Sequence, residues 1–161
     1  MCGIAGIVSH PARTERARTS KATAALQHRG PEKEAVYRNL TGTVALGHRR
    51  LCILDLSDAA TQPMTYCDPY HLVYNGEIYN YRELKKELEG LGTMFRSASD
   101  TEVLLSAYAR WGQDCLQKLD GAFAFAIWDE EAQTLFAARD RFGEKPFYFS
   151  TNEEGFVFAS E

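Results

Sequence analysis

The sequence predicts an α+β domain of stacked layers, built mainly from antiparallel sheets. Three observations carry this. The last third is a succession of short strand patterns broken by polar turns. The segment AFAFAIW at 122–128 is apolar on both faces, as in a strand sandwiched between two layers. Helical patterns occur only in isolated segments, without the regular strand–helix alternation of a doubly wound fold.

In chain order, residues 3–8 alternate small and branched apolar residues and predict a short buried strand. Residues 14–27 hold good helix formers, with Ala17, Ala24, Ala25 and Leu26 offering an apolar face. The helix should stop at His28-Arg29-Gly30-Pro31, where Gly and Pro break the chain. Strands are predicted at 35–37 and 43–53, joined by a turn at 39–42. Residues 54–69 lack periodicity and predict a loop. A strand at 71–78 runs into a tight feature at Asn75-Gly76, a pair common in two-residue hairpins. Asn80 with Glu83, and Ser99 with Glu102, have capping-box spacing. The first precedes Leu84, Leu88 and Leu91 and ends near Gly90 and Gly92. The second precedes a stripe of Val103, Leu104, Ala107, Tyr108 and Trp111, closed by Gly112. Further strands fall at 122–128, 134–139, 146–150 and 156–159.

The totals narrow the function. With 161 residues the chain is long enough for one substantial core. A net charge of −4 without a basic block offers no footprint for nucleic acid or a membrane surface. The four cysteines, at 2, 52, 67 and 115, form no CxxC pair and have no zinc-finger histidine spacing. The opening residues are not a secretory leader and no run of 18 apolar residues occurs, so the cytosol is the expected compartment and a disulfide framework is not expected.

Five positions could carry chemistry, and each has an ordinary explanation. Removal of Met1 would leave Cys2 with a thiol and a free α-amine on one carbon. The amine, near 7.7–8.0 when unperturbed, is a competent base for a thiol near 8.5. Taken alone, Cys2 reads first as an inert small apolar residue opening a strand, since a buried unreactive cysteine is common. Asp100 suits a first helical turn through the macrodipole. Asn75-Gly76 suits a turn, and Arg50 suits a solvated strand end.

In combination these positions resemble the class II glutamine amidotransferases, which are N-terminal-nucleophile hydrolases, and most closely the amidotransferase domain of glutamine-hydrolysing asparagine synthetases. The resemblance rests on MCGIAGIV at the start, QHRGPE at 27–32, LGHRRLCILDLS at 46–57 and QPM at 62–64. It continues through VYNGEIYNYREL at 73–84, SDTEVLL at 99–105, LDGAFAFAIWD at 119–129 and ARDRFGEKPFYF at 138–149. Glu32 stands where the family more often has Asp.

The resemblance implies a four-layer αββα sandwich. It implies that Cys2 attacks the side-chain amide of L-glutamine and that Asn75 and Gly76 hold the oxyanion. Arg50 would take the substrate carboxylate, and Asp100 with Glu77 the ammonium. No cofactor or metal is expected for the domain itself. Residues 1–161 would be one amidotransferase domain, shortened at its C-terminal end. The ATP- and Mg²⁺-dependent synthetase domain would lie elsewhere, in the same protein or in a partner. Asparagine formation is the first expected overall reaction. Amidation of a sugar or other small acid, a non-catalytic structural or regulatory role, and a homodimer stay open. Asp140, Arg141 and Lys145 are expected to shape a turn with ion pairs. His28 and His48 are expected to make structural hydrogen bonds, and Cys52, Cys67 and Cys115 to pack.

Overall fold

The computed structural model describes residues 1–9, 16–51, 60–65 and 69–161. One antiparallel sheet has strand order β2-β3-β1-β9-β8, from β1 (Gly3–Ser9), β2 (Lys33–Arg38), β3 (Val44–Arg50), β8 (Tyr148–Asn152) and β9 (Gly155–Ala159). The second, in order β4-β5-β6-β7, comprises β4 (Met64–Thr65), β5 (Tyr70–Ile78), β6 (Gly121–Asp129) and β7 (Thr134–Arg139). Helix α1 (Arg16–Ala25) packs on the outer side of the first sheet, whereas α2 (Tyr81–Gly90) and α3 (Asp100–Trp111) cover the second. The result is four layers, helix–sheet–sheet–helix. Among the described residues no helix is long and apolar enough to cross a membrane.

Alternation along β6 explains the layering. Phe123, Phe125 and Ile127 point to α2 and α3, while Ala124, Ala126 and Trp128 point to the other sheet. Two alanines at successive inward positions let the sheets approach, and Ile4, Val44, Leu46, Val73 and Phe158 fill the space between them. A fully buried side chain such as Phe125 contributes roughly 1.5–3 kcal/mol. Ser99 caps α3, its Oγ accepting from Glu102 N at 3.3 Å. The Glu102 carboxylate turns away from the reciprocal bond and accepts from the Arg96 and Ser97 backbone N–H groups.

Several expectations need correction. Asn75-Gly76 is no tight turn: both lie mid-strand, paired with Ala124 and Phe123 of β6. The long buried partner strand keeps the chain extended through them. Residues Met64–Thr65 form a short strand within the expected loop, because they pair with Leu72 and His71. Asn80 does not cap α2 with its side chain. Its amide instead bridges Lys118 O and Asp120 N, tying the helix start to β6. Leu91 is 47% exposed, since α2 ends before that position turns inward. On α1 the buried face is Thr19 and Thr23, continued by Leu26 in the 3-10 turn that follows, with Ala24 and Ala25 exposed. Thr23 turns its hydroxyl back to Thr19 O at 2.7 Å, which satisfies it inside the interface. A Cβ at Gly47 would sit 1.9 Å from that hydroxyl, so the glycine lets α1 close on β3. The expected strand at 146–150 begins only at Tyr148. Positions 52, 53 and 67, the helix start at 14–15, most of the loop and the Ala17 side chain lie outside the described residues.

Candidate active site

The site forms where the two sheets meet beside the chain start. Extending the β1–β3 register, in which Gly3 faces Arg49, by one residue sets Cys2 opposite Arg50. The Leu51 N–H donates to Cys2 Sγ at 3.4 Å. Arg29 Nε donates to Cys2 O at 3.1 Å, and Ser160 exchanges two hydrogen bonds with the Ile4 backbone. These contacts fix the thiol against residues about 50 and 160 positions away in sequence. Burial pushes the Cys2 thiol up, and nearby Asp100 does the same. The Leu51 N–H, the terminal ammonium of Met1 and the Arg50 guanidinium oppose them without cancelling the rise.

Strand β5 supplies the opposite wall. Asn75 shares the inter-sheet face of Val73 and is 1% exposed, yet its Nδ2 has no hydrogen-bond partner among the described residues. Such a buried orphan donor is costly unless something else uses it. Tyr74 N donates to Gln62 Oε1 at 2.6 Å and Ile78 N to Asp100 Oδ2 at 3.1 Å, both on the side away from β6. Antiparallel strands alternate the direction of their N–H groups, so Gly76 N–H points to that same side. A Cβ on Gly76 would come within 2.4 Å of Ala122 O and 2.8 Å of Tyr74 Cε2. Only glycine fits there.

Asp100, in the first turn of α3, is 5% exposed and accepts from the Tyr74 hydroxyl at 2.7 Å. Burial raises its carboxyl pKa above the usual aspartate range, against the hydrogen bonds from Tyr74, Ile78 N and Thr101 N. Arg50 lies on the inner face of β3 with His48 and is 7% exposed. His48 is pushed down to about 3 by burial, with Arg50 adding to the drop, so it is neutral at physiological pH.

A single cavity of about 110 Å³ is lined by all six expected positions: Cys2, Arg50, Asn75, Gly76, Glu77 and Asp100. Sequence reasoning missed Tyr74 and Gln62 as parts of this wall. Tyr74 lies two residues before Gly76 on the same strand, and Gln62 begins the QPM stretch, but nothing local shows that either reaches α3. Lys145, expected only at a turn, also lines the cavity. The turn itself is real, for the Asp140 carboxylate accepts from the backbone N–H groups of Phe123, Phe142, Glu144 and Lys145. His28 makes the expected structural contacts, to Ala25 O and Glu161. His48 makes the expected structural hydrogen bond, to the Tyr74 backbone, although its Nε2 has no partner among the described residues. Cys115 is buried as expected, and burial raises its thiol to about 11.

Two antiparallel sheets between helical layers, with a cysteine entering the innermost strand next to the chain start, define an amidotransferase of the N-terminal-nucleophile hydrolase class. The family described as "Glutamine amidotransferase domain" matches residues 1–161. Asparagine synthetase [glutamine-hydrolyzing] 3 of Bacillus subtilis is 44% identical over 166 residues, covering 100% of this chain and 26% of the relative. A putative asparagine synthetase [glutamine-hydrolyzing] 2 of Methanocaldococcus jannaschii is 39% identical, covering 100% of this chain and 34% of the relative. Among solved structures, the glutamine phosphoribosylpyrophosphate amidotransferase of B. subtilis superimposes with a TM-score of 0.84 at 27% identity. That match covers 99% of this chain and 42% of the other. The chain belongs to the glutamine amidotransferase domain family. It spans about a quarter to a third of the length of these two synthetase relatives.

Proposed function

We propose that this domain hydrolyses L-glutamine to glutamate and ammonia, with Cys2 as nucleophile once Met1 has been removed. One observation carries the reading: the buried, unpartnered Asn75 Nδ2 lines the same cavity as Cys2, Arg50 and Asp100. A thiol, a guanidinium, two carboxylates and two amide donors suit a zwitterionic amino acid whose far end is a neutral carboxamide.

In the proposed reaction Arg50 pairs with the α-carboxylate, where its planar fork favours two parallel bonds. Asp100, with Glu77, takes the α-ammonium. Because burial disfavours the thiolate, Cys2 needs a base, and its own freed α-amine is the nearest candidate. Sγ attacks the carboxamide carbon while the thiol proton moves to the amine. Asn75 Nδ2 and Gly76 N–H stabilise the oxyanion. The C–N bond breaks, the amine returns its proton to the departing nitrogen, and ammonia leaves a γ-glutamyl thioester. Water then attacks the same carbon, releasing glutamate and restoring the thiol.

The ammonia would serve an amidation carried out by the rest of a longer protein or by a partner chain. ATP and Mg²⁺ would act there, on the acceptor carboxylate. The names of the relatives favour aspartate as acceptor and asparagine as product.

The test is intact mass before and after treatment with an L-amino-acid diazoketone analogue of glutamine. Loss of Met1 followed by one adduct, absent in Cys2→Ala, is the expected outcome. A processed, folded chain that takes no adduct, or takes it on another residue, would refute the assignment.

A further inference from the structure

We propose that the Tyr74 hydroxyl is the positioning group that holds Asp100 oriented and ionised for the substrate's ammonium. This deepens the glutamine reading above and rests on it.

Asp100 and Tyr74 belong to different elements, α3 and β5, and are 5% and 3% exposed. Two of the three donors to Asp100 fall on one oxygen: Tyr74 Oη at 2.7 Å and Ile78 N at 3.1 Å reach Oδ2. With the Thr101 N–H as the third donor, these contacts fix the orientation of the carboxylate. The phenol is itself fixed. Its backbone N–H is bound by Gln62 Oε1, whose amide Nε2 reaches Thr101 Oγ1 of α3 at 3.4 Å. The absent side chain of Gly76 leaves room for its ring, since a Cβ there would lie 2.8 Å from Tyr74 Cε2. The ring sits in the core under α2 and α3, so the hydroxyl has one place to go.

Burial opposes a charged Asp100, and three donors resist it: the Tyr74 hydroxyl, Ile78 N–H and Thr101 N–H. Two of these are backbone and present whatever the side chains. The hydroxyl is the removable donor. Burial and the facing Asp100 also raise the Tyr74 pKa, so the phenol keeps its proton and donates at every working pH. The other titratable or charged groups lining the cavity with Asp100 are Glu77 on β5, the terminal amine of Met1 and Cys2 before β1, His48 and Arg50 on β3, and Lys145 after β7. His48 is neutral, and Glu77 raises Asp100 further, so neither replaces the phenol.

Tyr74→Phe keeps the ring and removes only this donor. Two Cys2 reagents separate the roles: iodoacetamide needs the thiol alone, whereas the amino-acid diazoketone also needs the ammonium anchor. Iodoacetamide labelling should be unchanged. Diazoketone labelling should slow about tenfold at neutral pH, and its acidic limb, taken relative to iodoacetamide, should move up by about one pH unit. The glutamine KM should rise in parallel, roughly tenfold, with kcat within about threefold.

An unmoved acidic limb with an unchanged reagent ratio in folded Tyr74→Phe would overturn the inference. Asp100→Asn supplies a second check, because the hydroxyl then has no carboxylate to hold. Tyr74→Phe should have little further effect on the ratio in that background, and a repeated tenfold drop would reduce Tyr74 to packing. Wild-type protein that reacts with iodoacetamide but ignores both diazoketone and glutamine would instead refute the glutamine reading, and this inference with it.

Discussion

Replacing Asn75 by Ala separates catalysis from folding at this site. Its Nδ2 makes no hydrogen bond to the described residues, so truncation breaks no identified contact of that donor. Asn75 is 1% exposed, and the small space left at the cavity wall should cost no more than about 1 kcal/mol of stability. In the proposed reaction the same donor faces a charge that exists only in the tetrahedral species. Loss of one such donor removes about 2.7–4 kcal/mol of transition-state stabilisation, a fall of about 10²–10³ in kcat. Glutamine binding through Arg50 and Asp100 should persist, leaving KM within about threefold. Formation and hydrolysis of the thioester both pass through an oxyanion, so both slow and no intermediate accumulates. Glutamate release measured by a coupled dehydrogenase, with urea unfolding as the folding control, reads both quantities. A folded Asn75→Ala protein with kcat within threefold of wild type would refute the oxyanion assignment. A protein that unfolds at low urea would show that Asn75 is structural.

Two further predictions concern charge and stability. Asp100 is raised in the fold, so its burial penalty is absent below the ordinary aspartate value near 3.9 and fully present above the raised one. Asp100→Asn, whose amide oxygen can still accept from Tyr74 and Ile78, should therefore melt about 3 °C higher at pH 7, while losing glutamine affinity. The stability gap should open as pH rises through that window, and a gap that narrows with rising pH would contradict the sign. Asp140 has the opposite sign: burial pushes it up, but the N–H groups of Lys145, Glu144, Phe123 and Phe142 together hold it below the usual range. Asp140→Ala should cost roughly 2–4 kcal/mol in urea unfolding at pH 7, and the deficit should shrink as pH falls below about 3.9. A pH-independent deficit would assign the loss to packing.

Much of this protein was readable before any tertiary contact was known. The double-sided apolar run of β6 requires two covering layers. Ser99 before Glu102 marks the start of α3, and the turn at 39–42 closes the β2–β3 hairpin. Cys2, Arg50, Asn75, Gly76, Glu77 and Asp100 were recognisable as members of a set, because the stretches carrying them match a family in order. These features are local, or depend on residue types in chain order.

Tertiary structure decided the rest. Asn75-Gly76 has the composition of a turn, but pairing with Ala124 and Phe123 holds it extended, and that extension aims Gly76 N–H away from β6. Local preference yields there to a ladder formed with residues nearly 50 positions away. Asn80 has a capping sequence but spends its amide on Lys118 and Asp120, which only the fold brings near. Leu51 N–H at Cys2 Sγ and Tyr74 at Asp100 likewise join residues 49 and 26 apart. Chain order can nominate the residues that share a site. Their distances, ionisation and hydrogen-bond partners depend on which layers pack, because burial and long-range pairing arise only when the sheets and α3 close on one another.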